Sequence, residues 1–163
     1  MIKRNEKMTE AIDIYSKGEY PADRLSNFYP HEFVFDGISC ASMEGFLQSL
    51  KYRSSSKQSE VCRLAGKAAK EAGAHKLLWR ITGRVYWQGK AFRRHRPEFT
   101  ALLTRAYQAL YAQNADFRDA LTASAGKTLM HTLGKHNPRA TILTEEEFIA
   151  ILNELRDYSI IKG

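Results

Sequence analysis

Three polar residues, Glu44, Gln48 and Lys51, are spaced so that one helix would present them side by side. Positions i, i+4 and i+7 share a helix face, and the neighbouring apolar residues Phe46 and Leu47 fall on a different face. A carboxylate beside a cation can stabilise developing positive charge or activate water. The same stripe is also typical of a solvated helix surface, so the spacing alone leaves both interpretations open.

An aromatic turn precedes this helix in the sequence. The run Ser26-Asn27-Phe28-Tyr29-Pro30 combines an amide, two aromatic rings and a rigid turn. Such a group suits a planar heterocycle, which can stack on the rings and form hydrogen bonds with the amide. The alternative is an aromatic turn that only packs on the core, and each segment taken alone fits either interpretation.

Together the two segments resemble the signature of the NADAR superfamily, the YbiA-like N-glycosidases. The matching residues are Leu25-Ser-Asn-Phe-Tyr-Pro30, Phe35-Asp-Gly37, Ser42-Met-Glu44 and Gln48-Ser-Leu-Lys51. A looser similarity continues through Trp87, through residues 101–121, which include Gln113-Asn114, and into Thr128-Leu-Met-His131. The resemblance covers residues 24–156, and its sharp part lies between residues 25 and 51.

The resemblance implies an α+β fold that is mainly α-helical, with several helices packed around a small β-sheet. It also implies an enzyme that hydrolyses a ribose C–N bond in a phosphorylated ribosylamine, a nucleotide or an ADP-ribosyl adduct. The expected substrate is therefore a small ribosyl or ADP-ribosyl molecule. Neither a cofactor nor a metal ion is expected.

Carried over position by position, the resemblance makes Glu44 the catalytic carboxylate. The expected substrate-binding residues are Arg24, Ser26, Asn27, Phe28, Gln48, Lys51, Trp87 and His131. For His131 a structural role, with its ring hydrogen-bonded in the core, is the alternative. Many relatives carry an acidic residue before a tryptophan-glycine pair near the C-terminus. Residues 131–139 contain neither feature here, which suggests a divergent branch with its own substrate.

The chemistry of such a reaction explains why these residue types would be needed. Breaking a ribose C–N bond builds positive charge on the sugar in an oxocarbenium-like transition state. Glu44 could stabilise that charge or activate water, and Lys51 could hold a phosphate or lower the pKa of Glu44. The amide of Asn27 could orient ribose hydroxyls or the leaving base.

A basic cluster between residues 80 and 96 offers a second candidate surface. Its members are Arg80, Arg84, Lys90, Arg93, Arg94, His95 and Arg96, interleaved with Tyr86, Trp87 and Phe92. Cations grip phosphates while aromatic rings stack on bases, so this cluster would suit a nucleic-acid substrate. The net charge of +7 favours an anionic partner in general. A solvated basic loop around a core aromatic remains the alternative.

Two function classes therefore stay open. The first is an N-glycosidase, which requires the carboxylate of Glu44. The second is a non-catalytic module that binds ADP-ribose or nucleic acid, for which the negative charge of Glu44 would be unnecessary or unfavourable.

Composition narrows the setting. The chain has 163 residues and 44% hydrophobic content, which predicts one domain over residues 1–163. Cys40 and Cys62 form no CxxC pair, so free thiols are expected. No long apolar run and no secretory signal are evident, which predicts a cytoplasmic protein without membrane contact. The oligomeric state is left open.

Periodicity and turn residues predict the elements that would position the site. Residues 1–20 are predicted to be an N-terminal extension or an edge strand around Ile12 and Ile14. A hairpin is predicted at Phe33–Phe35 with an Asp36-Gly37 turn, and residues 83–89 are predicted to form a loop. The remaining predictions are helices at 43–53, 60–72, 97–112 and 115–121, an extended segment at 128–132, and a last helix capped by Thr144.

Overall fold

The computed structural model describes residues 10–162, and this part of the chain contains eight helices and six strands. In chain order they are β1 (Ala11–Asp13), α1 (Ala22–Leu25), β2 (Phe33–Phe35), β3 (Ile38–Cys40), α2 (Met43–Ser49), α3 (Ser55–Cys62), α4 (Gly66–Ala74), α5 (Leu78–Thr82), β4 (Arg84–Trp87), β5 (Lys90–Arg93), α6 (Pro97–Gln113), α7 (Ala115–Ala123), β6 (Thr128–Met130) and α8 (Glu145–Lys162). The predicted α+β class, mainly α-helical, is confirmed. None of these described helices is long and apolar enough to cross a membrane.

The strands pair as three separate two-stranded sheets in the described chain, where the sequence predicted one small sheet. β1 and β6 are parallel, with Ile12 opposite Leu129, so the predicted edge strand at Ile12 is confirmed. β2 and β3 form the predicted antiparallel hairpin. Residues 1–9 of the predicted N-terminal extension lie outside the described residues.

A second hairpin, β4–β5, replaces the loop that the sequence predicted for residues 83–89. Gln88 and Gly89 both have positive φ, of 44° and 82°, as the two central residues of a tight hairpin turn require. The sequence pattern did not reveal that Gln88 would take the left-handed conformation beside Gly89.

Helix α2 lies in the centre of the core, and all seven of its residues are buried. Ser42 caps it: the Ser42 hydroxyl accepts a hydrogen bond from the Gly45 amide at 3.0 Å and donates one to the Leu64 carbonyl at 2.8 Å. A Cβ at Gly45 would lie 2.5 Å from the same carbonyl oxygen. The absence of a side chain therefore lets α2 pack directly against the end of α3.

Close packing against α2 also explains why the single helix predicted at residues 60–72 is wrong. The structure has two helices, α3 and α4, which are separated by Arg63–Ala65. The Leu64 carbonyl accepts from Ser42 and the Cys62 carbonyl accepts from the Ala41 amide at 2.8 Å, so neither is available to continue the helix. The next helix, α4, begins at Gly66, which has a φ of 54°.

The two long helices follow their predicted apolar stripes. The buried residues of α6 are Phe99, Leu102, Leu103, Ala106, Tyr107 and Leu110, and those of α8 include Phe148, Ile151, Leu152 and Leu155. Thr144 begins α8 as predicted, through a reciprocal capping box with Glu147 at 2.8 and 3.1 Å. These helices pack against each other and against α7.

A buried ion pair fastens β5 to α8. The guanidinium of Arg94 is almost fully buried and donates two hydrogen bonds to the carboxylate of Glu147, at 2.6 and 3.0 Å. Its Nε donates to the Thr141 carbonyl at 3.1 Å. Arg94 therefore does not belong to the exposed basic cluster in which the sequence placed it, because its charge is already neutralised inside the protein.

Arg94→Met is expected to lower the free energy of unfolding by about 3 kcal/mol, because it leaves the half-buried Glu147 carboxylate and the Thr141 carbonyl without their partner. Arg93→Met, at the exposed neighbouring position, is the matched control and should have little effect. Urea unfolding of the three proteins measures the difference. Equal midpoints for the two variants would contradict a stabilising role for the pair.

Candidate functional site

A cleft of about 360 Å³ opens between α2, the aromatic turn, and the segments on either side of the start of α8. Its lining includes six of the nine predicted site residues: Asn27, Phe28, Glu44, Gln48, Lys51 and His131. It also includes Leu47, Lys70, Ala74, Arg80, Leu133, Gly134, Lys135, Phe148 and the whole segment 140–144. Residues that are more than 100 positions apart in the sequence thus face one space.

A backbone hydrogen bond joins the aromatic turn to the first turn of α2. The Glu44 amide donates to the Asn27 carbonyl at 3.0 Å, and the Phe28 amide donates to the Ser26 hydroxyl at 3.2 Å. The hydroxyl of Tyr107 donates to the Asn27 side-chain oxygen at 2.7 Å. Because that oxygen is engaged, the NH2 group of Asn27 is the part of the amide left to donate to a ligand.

Glu44 is only 9% exposed, so the interpretation of its helix face as a solvated surface is wrong. Gln48 donates a hydrogen bond to the Glu44 carboxylate at 2.8 Å. Burial raises the pKa of Glu44, and the Gln48 hydrogen bond and the charges of Lys51 and Lys70 lower it by less. Lys51 therefore acts in the predicted direction, but burial decides the net shift.

Gly73 of α4 is the neighbour that allows Gln48 to reach Glu44. A Cβ at Gly73 would lie 1.8 Å from the Gln48 side-chain oxygen, so a residue with a side chain would displace Gln48. The Gly73 carbonyl accepts a hydrogen bond from the Lys51 ammonium group at 3.3 Å. One small residue therefore sets the positions of both polar partners of the carboxylate.

Lys51 carries a weakened charge. Burial is the main cause that lowers its pKa to about 8, repulsion from Arg80, Lys135 and Lys70 adds to the effect, and the attraction of Glu44 opposes it. A phosphate bound nearby would favour the protonated ammonium group and reverse the shift. Binding of an anion should therefore be accompanied by proton uptake when the pH lies near 8.

The cleft is strongly basic. Among the residues that the structure describes, its lining contains four cations, Lys51, Lys70, Arg80 and Lys135, and one carboxylate, that of Glu44. The ammonium group of Lys70 lies 5.8 Å from the centre of the Phe28 ring. Arg80 is held by a hydrogen bond to the Ala140 carbonyl at 3.2 Å. This excess of positive charge suits a substrate with one or more phosphates.

His131 is anchored and also lines the cleft. Its Nδ1 donates to the Ile14 carbonyl at 2.8 Å, because a carbonyl can only accept. Its ring meets Phe148 edge to face at 5.5 Å, and a Cβ at Gly134 would lie 2.8 Å from the ring. These contacts fix the ring and leave Nε2 as its remaining polar atom. The pairing of β1 with β6 supplies the Ile14 carbonyl.

Trp87 lies in the core and does not line the cleft, so its predicted role is corrected. Its ring stacks on Phe35 at 5.5 Å and meets Phe46 edge to face at 5.0 Å. Its indole N–H donates to Asp36 at 2.8 Å. The β4–β5 hairpin turns this side chain inward beneath α2, which the predicted loop could not reveal.

Arg24 and Ser26 lie beside the cleft but not in its lining. The guanidinium of Arg24 lies 4.6 Å from the centre of the Tyr29 ring, and its Nε is 3.5 Å from the Asp23 carboxylate. Ser26 caps the aromatic turn through its hydroxyl. Both residues support the turn that presents Asn27 and Phe28.

Sequence reasoning missed Lys70, Lys135 and the segment 140–144. The small residues of α4 favour a close approach to a neighbouring helix, and that signal could have suggested Lys70 as a cleft residue. No local pattern places residues 140–143 at the cleft, because hydrogen bonds from Arg80 and Arg94 to the Ala140 and Thr141 carbonyls and the burial of Ile142 position them. Within residues 10–162 no three His, Cys, Asp or Glu side chains are grouped to hold a metal ion.

Glu44→Gln is expected to leave stability unchanged in acid and to raise it near neutral pH. Between 4.5 and the raised pKa of Glu44, the folded chain keeps a proton that the unfolded chain has released. Wild-type stability therefore falls as the pH rises through this window, and the amide removes that fall. The window of Lys51, between about 8 and 10.5, lies higher.

Melting temperatures of the wild-type and Glu44→Gln proteins across this pH range provide the measurement. Glu19→Gln, at an exposed position, serves as the control and should follow the wild-type curve. A Glu44→Gln protein that is less stable than wild type at every pH would contradict a net cost of burying the carboxylate.

Comparisons with known proteins identify relatives of this chain. The family of bacteriophage protein GP30.3 matches residues 19–157. A 17.1 kDa protein in the Gp30-rIII intergenic region of Enterobacteria phage T4 is 42% identical over 147 residues, which make up 90% of this chain and 97% of that protein. The NMR structure of the E. coli protein YbiA aligns with a TM-score of 0.62 at 18% identity, over 99% of this chain and 95% of the YbiA chain.

The YbiA structure confirms the fold that the resemblance to the NADAR superfamily implied. The phage comparisons extend over the aromatic turn, α2, the Arg94 anchor and residues 131–144, so they include every segment that lines the cleft. The chain belongs to the family of bacteriophage protein GP30.3.

Proposed function

We propose that the protein is an N-glycosidase that hydrolyses a ribose C–N bond in a phosphorylated ribosylamine, a nucleotide or an ADP-ribosyl adduct. The observation that carries the proposal is the burial of the Glu44 carboxylate in a cleft whose lining also contains four cations, the Asn27 amide and the Phe28 ring. Burying a carboxylate costs stability, and a catalytic role gives a reason for the cost.

Glu44 is assigned the proton transfers of the reaction. As the bond between the anomeric carbon and nitrogen breaks, its electron pair leaves with the nitrogen and the sugar becomes oxocarbenium-like. Ionised Glu44 stabilises that charge and accepts a proton from the attacking water, whose oxygen bonds to the anomeric carbon. The proton then passes to the departing nitrogen. A raised pKa suits a group that must both accept and return a proton near neutral pH.

The remaining lining residues are assigned to binding. Lys51, Lys70, Arg80 and Lys135 hold the phosphate groups. The free NH2 group of Asn27 donates to a ribose hydroxyl or to the base, and the ring of Phe28 packs on the base. Nε2 of His131 completes the polar lining of the cleft.

A binding module that recognises ADP-ribose or nucleic acid without turnover is the second candidate. It is favoured by the excess of cations and by the presence of only one carboxylate among the described residues that line the cleft. Such a module would bind an anion more tightly once Glu44 lost its charge, whereas a catalyst would lose its rate.

Glu44→Gln is therefore expected to lower kcat on the order of 10²- to 10⁴-fold while substrate binding is kept, because the amide cannot exchange a proton. The assay incubates each protein with a ribosylaminopyrimidine phosphate, NAD or an ADP-ribosylated oligonucleotide, and detects the released base by mass spectrometry. Glu19→Gln should retain full activity. If the wild-type protein cleaves none of these substrates and Glu44→Gln binds the anion more tightly, the protein is the binding module instead.

Lys51→Met is expected to move the acidic limb of the kcat/KM profile to higher pH, because the Lys51 charge favours ionised Glu44. It should also abolish the increase in KM that is expected of wild type above a pH of about 8, because the pKa of Lys51 is lowered to about 8. Lys135→Met is the control: it should raise KM by removing a phosphate contact while the acidic limb stays in place. An unshifted acidic limb in Lys51→Met would contradict the coupling.

A further inference from the structure

A second cavity, of about 620 Å³, lies beside the cleft and is lined by basic residues. Its lining is Arg80, Ile81, Thr82, Gly83, Arg93, His95, Arg96 and Arg139. This set contains four guanidinium groups and one imidazole, and no carboxylate. Arg80 lines both the cavity and the cleft, so the two spaces share a wall.

The charges of this cavity are not neutralised within the protein. Arg94 and Arg105, which lie nearby in sequence, pair with Glu147 and Asp36 and line neither space. By contrast, no side-chain ion pair of Arg93, Arg96 or Arg139 with a described residue is present. Uncompensated like charges around one concave surface repel each other, so an anion that bridges them would relieve the repulsion.

An exposed apolar edge borders the same cavity. Leu77, Leu78 and Ile81 on and before α5 are 47%, 70% and 86% exposed. Ile81 belongs to the cavity lining, and Arg80 lies between Leu78 and Ile81 in the sequence. Three large apolar side chains within five residues form a patch that a partner with flat apolar faces would cover.

We infer that this surface, defined by Arg80, Arg93, Arg96, Arg139 and the edge Leu77–Ile81, binds a single-stranded polynucleotide. The phosphates of the strand lie against the arginines, and its unstacked bases cover Leu78 and Ile81. A duplex hides the faces of its bases and fits less well. The inference rests on the proposed function in one respect: the nucleotide that enters the cleft carries the ribose C–N bond that is cleaved.

The recognition mode that follows from the structure differs from the one that the sequence of the basic cluster suggested. The aromatic residues that the sequence placed between the cations do not form a stacking row: Trp87 is in the core, and Tyr86 and Phe92 are half-buried beneath Arg53 and Lys90 at 6.0 and 4.8 Å. Recognition therefore depends on phosphate contacts and aliphatic packing. A lipid bilayer is a poorer match, because its flat surface cannot follow the cations into a concave cavity.

The test measures binding of fluorescein-labelled single-stranded and duplex oligonucleotides by fluorescence anisotropy at increasing NaCl concentration, with the full chain carrying Glu44→Gln to prevent turnover. The single strand should bind more tightly than the duplex. Arg93→Gln with Arg96→Gln should reduce the slope of log K against log salt by about 0.7 for each lost phosphate contact. Lys17→Gln with Arg63→Gln removes two exposed cations that line neither space, and should leave the slope unchanged.

Leu78→Ser with Ile81→Ser separates the apolar contribution from the charges. Because both side chains are exposed, the fold should be kept, and single-strand binding should weaken about tenfold with no change in the salt slope. Equal slopes for the arginine variant and its control, or tighter binding of the duplex, would overturn the inference. The inference would also be overturned if the wild-type protein bound anionic phospholipid vesicles, and if the arginine variant and the leucine–isoleucine variant weakened that binding without affecting oligonucleotide binding.

The binding result is independent of the catalytic result. If the single strand binds as expected but no substrate is cleaved, the interaction surface stands and the glycosidase proposal fails. If a free nucleotide is cleaved while the arginine variant binds the single strand as tightly as wild type, the glycosidase proposal stands and the interaction surface fails.

Discussion

The hydrogen bond between the Glu44 amide and the Asn27 carbonyl is the constraint on which the rest of the site depends. It fixes the aromatic turn against the first turn of α2, and it places the carboxylate, the amide and the Phe28 ring around one cleft. The Ser42 cap and the bare Gly45 hold α2 against α3, and Gly73 leaves room for Gln48 to reach the carboxylate. A displacement of any of these backbones would move Glu44 relative to the turn.

The site holds two charged groups, Glu44 and Lys51, in surroundings that disfavour their charges. Glu44 is buried at a cost that its neighbours reduce but do not remove, and Lys51 is buried with a weakened charge. Each group would be better solvated at the surface. Lys51 lowers the pKa of Glu44, and Glu44 raises the pKa of Lys51. Under the proposed function, the phosphates of the substrate would offset the excess of positive charge in the cleft, and the cationic sugar would interact with the carboxylate. The charges of the cleft thus suit a molecule that carries both charges at different points.

The same framework joins the cleft to the basic cavity. Arg94 and Glu147 tie β5 to α8, and Arg94 and Arg80 hold the carbonyls of Thr141 and Ala140. One segment, residues 139–144, therefore contributes to both spaces, and the shared Arg80 allows a ligand to extend from one into the other. A buried arginine positions the backbone while its exposed neighbours stay available, which explains why adjacent arginines in one sequence cluster have different roles.

The sequence by itself determined the local features: the Thr144 cap, the Asp36-Gly37 hairpin, the stripes of α6 and α8, and the aromatic turn followed by a helix with Glu44 and Gln48. These follow from short-range periodicity and turn chemistry, which a linear pattern records. The helix predicted at 43–53 ends at Ser49, so Lys51 lies beyond it. Only the tertiary structure decided that this helix is buried on every face, that Trp87 points into the core, and that Lys70, Lys135 and residues 140–144 complete the cleft. Such outcomes depend on packing and on hydrogen bonds between distant segments, and no local spacing encodes the desolvation that raises the pKa of Glu44.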